Sequence, residues 1–155
     1  MKVKLEKIVE FLEYSGDEQA NLLDLQTGEI ELVEQSLLRR AEKWKEGDDP
    51  PSMGDWQKPQ WEMAKRYAKA PGQFLWVPDL NDVNEWDVMA EFVDTVKSAT
   101  IRDELQDAIR GRGAFRMFKN TIRRHKIEQD WYDFRARALE EFARDWCEEN
   151  GLQCE

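Results

Sequence analysis

The sequence predicts an α+β fold, predominantly helical, with a small antiparallel sheet packed on helices. That sheet is an N-terminal hairpin plus an edge strand near 74–77. Three observations lead there. Two short apolar runs flank Gln26-Thr27-Gly28, which is hairpin punctuation. From Asp82 onward, apolar residues recur every three or four positions, segment after segment. Hydrophobic residues make up 41 % of the chain, with seven Trp and seven Phe, enough to build a core and to exclude simple disorder. The 155 residues fit a single domain. Within it, 1–46 reads as a helix-hairpin-helix unit, 47–58 as an exposed loop and 80–155 as a helical region.

Val3, Leu5, Ile8, Val9 and Leu12 share helical spacing and predict a short amphipathic helix over 3–13, stopped by Ser15-Gly16-Asp17. Ala20 to Leu25 and Glu29 to Val33 form the hairpin. The second run alternates strictly and the first imperfectly. A hairpin alone is marginal in water, so it must pack on helices. Gln35 to Lys45 reads as a helix, and Gly47 to Gly54, with Pro50-Pro51, as the clearest loop. Trp61 to Lys69 predicts another helix, closed by Pro71-Gly72. Phe74-Leu75-Trp76-Val77 before Pro78 is the edge strand, since proline confines a strand to that position.

Trp86, Met89, Phe92, Val93 and Val96 give the next helical face, and Ile101, Leu105, Ala108 and Ile109 the one after. Gly111-Arg112-Gly113 interrupts. A helix from Ala114 to about Arg124 then sets Phe115, Phe118 and Ile122 on one apolar face. The last helix, about Gln129 to Asn150, ends at Gly151, a natural C-cap.

Charge picks out one segment. The chain carries 23 Lys+Arg against 33 Asp+Glu, net −10. Yet Arg110, Arg112, Arg116, Lys119, Arg123, Arg124 and Lys126 fall within 17 residues that hold no acid. Without that segment the balance would be 16 basic against 33 acidic residues. Arg112, Arg116, Lys119 and Arg123 follow at intervals of four, three and four, a stripe about 90° from the apolar face at ~100° per residue. Like charges on one stripe repel, so counter-charge is needed from the protein or from outside. Gly111 and Gly113, just ahead of a helix, would let backbone amides approach an anion. Two readings stand: a glycine hinge whose cations pair with neighbouring acids, or a phosphate- or carboxylate-binding corner.

Arg135 projects inside the apolar arc of the last helix, between Trp131 and Leu139. A guanidinium there needs a carboxylate, an aromatic stack or a wet pocket. It is either a structural ion pair or a member of the Gly111–Gly113 site.

Catalytic signals are weak. The single His125 sits among cations in Arg123-Arg124-His125-Lys126, and no nearby sequence supplies an orienting acid or a nucleophile. There is no Walker motif, no Gly-x-Ser-x-Gly and no His-Glu-x-x-His. Asp79, Asp82, Asp87 and Glu91 match no defined cation loop. Cys147 and Cys154 with one histidine are too few for structural zinc, so no metal or cofactor is implied. Both cysteines are expected as free thiols, Cys147 at the edge of the core and Cys154 in the tail, which fits a cytoplasmic location. No apolar run approaches the ~20 residues of a membrane span, and residues 1–11 do not read as a secretory signal.

Ile109-Arg110-Gly111-Arg112-Gly113-Ala114-Phe115-Arg116-Met117-Phe118-Lys119, Trp131-Tyr132-Asp133-Phe134-Arg135 and Trp146-Cys147-Glu148-Glu149-Asn150-Gly151 resemble uncharacterised bacterial protein family number 158. Lys4-Leu5 and Thr27-Gly28-Glu29 fit the same pattern. The likeness is strongest over 80–155 and finds no match over about 40–72. It implies a bacterial cytoplasmic protein and brings no activity or substrate.

The first expectation is a non-catalytic binding or regulatory protein. It would hold an anionic partner through Arg110, Gly111, Arg112, Gly113, Arg116, Lys119 and Arg123, with Arg135 behind them. That partner could be an acidic protein surface, a nucleotide-like ligand or a local nucleic-acid contact. Net charge −10 makes indiscriminate nucleic-acid binding weak, so any such contact is expected to be local and strongly salt-sensitive. The second is a protein-interaction module that docks through exposed Trp56 and Trp61, steered by acidic faces. The third is an enzyme of unknown class, which needs a pocket gathering Arg135, His125 and a carboxylate.

Overall fold

The computed structural model describes every residue except Met1, Ser15 and Asp17. The fold is α+β: among the described residues, seven α-helices accompany a three-stranded antiparallel sheet and a two-stranded parallel ladder. The chain forms two compact units, residues 1–79 with 146–155, and residues 80–145.

The first unit opens with β1 (Lys2–Val3) and α1 (Leu5–Glu13), followed by β2 (Gln19–Asp24) and β3 (Ile30–Glu34). Of the expected stop after α1, Ser15 and Asp17 lie outside the described residues. The hairpin is as expected, with Asn21 opposite Leu32 and Leu23 opposite Ile30. Gly28 turns the chain at φ 79°, a conformation that costs a side-chain-bearing residue more than glycine. Then come α2 (Gln35–Lys43), α3 (Lys58–Lys69) and β4 (Phe74–Val77). The helix α3 begins at Lys58, with Pro59 in its first turn, where the missing N–H has no intrahelical partner to lose.

The strand β4 pairs with β2 on the side away from β3, so the order is β3-β2-β4 and β4 takes the expected edge. This explains the broken alternation of β2. As the central strand it is buried on both faces, and Asn21, Leu22, Leu23 and Asp24 are all inside. Leu22, Val33 and Phe74 pack with α2 and α3 through Leu37, Trp61 and Ala64. From α1, the Phe11 carbonyl accepts a hydrogen bond from Asn21 Nδ2 at 3.1 Å.

The second unit is the predicted run of helices: α4 (Glu85–Thr95), α5 (Ala99–Ala108), α6 (Ala114–Arg124) and α7 (Glu128–Glu149), whose last residues belong with the first unit. Asn84 and Ser98 cap α4 and α5, each accepting a backbone N–H through its side chain. The core of the unit is aromatic. Phe92 meets Phe118, Trp131 and Phe134 edge-to-face, with centroids 5.4–6.0 Å away, and Phe118 meets Trp131 at 4.8 Å.

After α7, Gly151 adopts φ 68° and reverses the chain, with Leu152 N–H donating to the Cys147 carbonyl. The two-residue strand β5 (Gln153–Cys154) then pairs in parallel with β1, Val3 beside Cys154. This corrects the expectation of free thiols. Cys147 and Cys154 form a disulfide, with Cα atoms 6.2 Å apart. The turn at Gly151 returns Cys154 over the end of the helix that carries Cys147. Among the described residues, no helix is long and apolar enough to cross a membrane.

Candidate functional site

Helix α6 buries Ala114, Phe118, Thr121 and Ile122 and turns its other side to water. Arg116, Lys119 and Arg123 stand on that wet side, as their spacing predicts. The helix starts at Gly113, whose φ of 72° is left-handed, and no side chain caps it. Nothing lies within 4 Å of the position a Cβ would take on Gly111 or Gly113. Gly113 therefore answers to its backbone angle rather than to crowding, and the bend stays open to solvent. From α4, Trp86 Nε1 donates to the Ile109 carbonyl at 2.9 Å and fixes the chain just before that bend.

The seven cations divide. Arg110 faces Asp107 at 3.5 Å, Arg123 faces Glu128 at 3.9 Å, and Arg124 meets Glu104 at 2.5 Å. Among the described residues, no carboxylate oxygen lies within 4.0 Å of the charged groups of Arg112, Arg116, Lys119 or Lys126. The stripe is thus partly neutralised from within, at its flanks, while its centre stays unpaired.

Arg135 has the carboxylate that burial in an apolar arc demands. Its Nε and Nη2 both donate to Glu85 Oε1, at 3.0 and 2.9 Å. That bond ties α7 to the first residue of α4, beside Trp86. This contact is with the start of α4.

His125 also finds an acid that its sequence neighbourhood lacks. Glu104, 21 residues earlier on α5, places Oε2 2.7 Å from His125 Nε2. The hydrogen bonds from His125 and then Arg124 hold the Glu104 carboxyl below its ordinary value of 4.5. A carboxyl depressed in the folded state stabilises the protein above that ordinary value, and its contribution is lost as pH falls through the folded one. Glu104→Gln should therefore flatten the acid limb of a stability-versus-pH curve below pH 4.5. Unfolding curves of the two proteins that stay parallel there would refute this role.

The tryptophans separate. Trp56 is 68 % exposed on a short 3-10 turn. Trp61 is 4 % exposed, which corrects the expectation that both are surface residues. The register of α3 turns Trp61 inward, against Trp44 at 6.0 Å edge-to-face. Phe115 departs in the opposite sense: counted with the apolar face of α6, it is 48 % exposed. It lies ~60° from the buried meridian at Phe118, far enough round the helix to reach water. Sequence spacing alone gave this residue to the core, and only its position among cations hints otherwise.

A cleft of about 610 Å³ in the second unit is lined by Phe92, Val96, Ile101, Phe134, Asp130 and Arg137, among others, and by neither His125 nor Arg135. A smaller one of about 480 Å³ in the first unit lies over Trp44, Met53 and Trp61.

Fold and surface together define a helix-rich α+β protein, acidic overall, in which α6 carries four basic residues and no acid. The chain belongs to the uncharacterised protein family UPF0158, whose model matches residues 53–155. The match includes 53–72, which carried no visible likeness, and begins after the hairpin that seemed to share it. A UPF0158 protein of Pseudomonas aeruginosa is 29 % identical over 84 residues, covering 54 % of this chain and 55 % of that one. The chain thus spans about half the length of the curated relative it matches. No solved structure matches it.

Proposed function

We propose that the chain is a non-catalytic binding or regulatory protein that holds an anionic partner on the wet side of α6 and the Gly111–Gly113 bend. One observation carries this. Arg112, Arg116 and Lys119 lack an internal carboxylate in a protein with ten more acids than bases. Acids are abundant, yet these three cations are left without them, and their mutual repulsion is relieved when an anion arrives. Arg112 and Arg116 flank the start of α6, where the helix dipole adds to their charge instead of opposing it. The open bend leaves room for a phosphate or carboxylate to reach the first amides of the helix.

Arg112→Glu with Arg116→Glu tests the reading. Immobilised heparin should retain the wild type at low salt and release it as salt rises, and the double variant should pass through. Both residues are exposed, so the melting temperature should hardly move. Equal retention of a folded double variant overturns the proposal.

A cytoplasmic location goes with this reading. The structure holds the Cys147–Cys154 disulfide, a bond that a reducing cytoplasm opens, so this location entails reduction of the pair in the cell. Alkylation of both thiols in a fresh lysate of the native cell checks it, and an intact disulfide counts against it.

A further inference from the structure

We infer that the anionic partner is a single-stranded polynucleotide, read by its phosphates and by the flat face of an unpaired base. The inference rests on the anion-binding reading of α6 and adds what the charges alone do not contain. Phe115 stands 48 % exposed at the edge of the unpaired cations, between them and the buried side of α6. Arg112 precedes it by three positions, Arg116 follows at once, and Lys119 lies one helical turn on, at the i, i+4 spacing that makes side chains neighbours. Met117, also half exposed, flanks the stripe on its other side.

A large apolar ring at a charged surface lowers solubility and does nothing for the core, which Phe118 and Ile122 already fill from the same helix. It gains a purpose when a planar group lies on it. Single strands offer a base and a phosphate in alternation, and proteins hold them with aromatic platforms set among basic side chains. A duplex hides its base faces in the stack, and an acidic peptide has carboxylates without a regular supply of planar rings. Repulsion from the net charge of −10 is a distant effect, screened beyond about 8 Å at physiological salt, whereas the three unpaired cations are local. Contact with three phosphates gives a salt slope of about −2 on a double-logarithmic plot.

The full chain should be titrated by fluorescence anisotropy with oligo(dT), with an abasic strand of equal length, with a DNA duplex and with polyglutamate. Base stacking on Phe115 should make oligo(dT) bind about five- to hundredfold more tightly than the abasic strand. Phe115→Leu keeps the apolar bulk and should erase that preference, while Phe115→Trp should keep it. Equal affinity for oligo(dT) and the abasic strand, or a preference that survives in Phe115→Leu, overturns the inference and leaves the anion-binding reading standing. The same holds if the duplex binds as well as oligo(dT), or if polyglutamate binds more tightly than both. If no polyanion binds, or if Arg112→Glu with Arg116→Glu binds oligo(dT) as the wild type does, the anion-binding reading falls and takes the inference with it.

Discussion

Replacing Phe118 by alanine is expected to cost about 3–5 kcal/mol of folding stability. Phe118 is fully buried on the inner side of α6, edge-to-face with Trp131 at 4.8 Å and Phe92 at 6.0 Å. Truncation removes the transfer free energy of the ring and both aromatic contacts, each worth about 0.5–1.5 kcal/mol beyond burial. The hole cannot close easily. Phe92 is also engaged with Trp131 and Phe134, so its ring cannot swing inward without breaking those contacts. Against a total stability of about 5–15 kcal/mol, the loss is large enough to lower the melting temperature by about 10 °C. Phe115→Ala is the internal control. It removes the same side chain from the same helix three residues earlier, at a half-exposed site, and should cost about 1 kcal/mol or less. Urea unfolding of both variants measures the difference. A Phe118→Ala variant as stable as Phe115→Ala would mean that the aromatic cluster does not hold α6 in place. The proposed binding surface would then have no rigid support.

That pair of residues also marks how far the sequence can be read. Apolar spacing located α6 and its inner face, because Phe118 and Ile122 lie one turn apart. It could not settle Phe115, whose burial depends on how wide a strip of the helix its neighbours cover. The hairpin was legible from Thr27-Gly28, and the imperfect alternation of β2 was itself a signal, since a central strand is buried on both faces. The ladder of β1 with β5 had no such signal. Two residues cannot display a period, and their pairing depends on where the chain ends meet. Cys147 and Cys154 were close in sequence but became partners only through the reversal at Gly151.

The candidate site shows the same division. That Arg135 needs a carboxylate follows from its place in an apolar arc, but Glu85 lies 50 residues away. The clustering of cations was plain, while their neutralisation was not. Glu104 reaches Arg124 and His125 across a helix pair, and no counterpart on α5 reaches Arg116 or Lys119. Charge that is close in sequence is a fact of composition. Charge left unpaired is a fact of tertiary structure, and it gives α6 its functional reading.

Arg66→Ala is expected to destabilise the protein by about 3 kcal/mol, more than truncating its partner Asp24 would suggest from charge alone. Asp24 is 1 % exposed at the end of β2, where Oδ1 accepts the Gln26 N–H at 2.8 Å and the backbone closes the hairpin turn through Glu29 and Gly28. Oδ2 has no hydrogen bond of good geometry and is answered by the charge of the Arg66 guanidinium, which reaches it from α3 across the Phe74 ring. The pair is asymmetric, because the Arg66 side chain is half exposed. Arginine freed by loss of Asp24 can turn to water, whereas a carboxylate stripped of Arg66 stays in the sheet with an unanswered charge. Water reaching the Arg66 side keeps the cost at the low end for a broken buried pair. Asp24→Asn removes the charge while its amide oxygen can still accept the Gln26 N–H. The double variant Arg66→Ala with Asp24→Asn should therefore be more stable than Arg66→Ala alone, a coupling of at least about 1 kcal/mol in a double-mutant cycle. Additive losses would show that Arg66 stabilises the hairpin by packing on Phe74 and not by answering the buried charge.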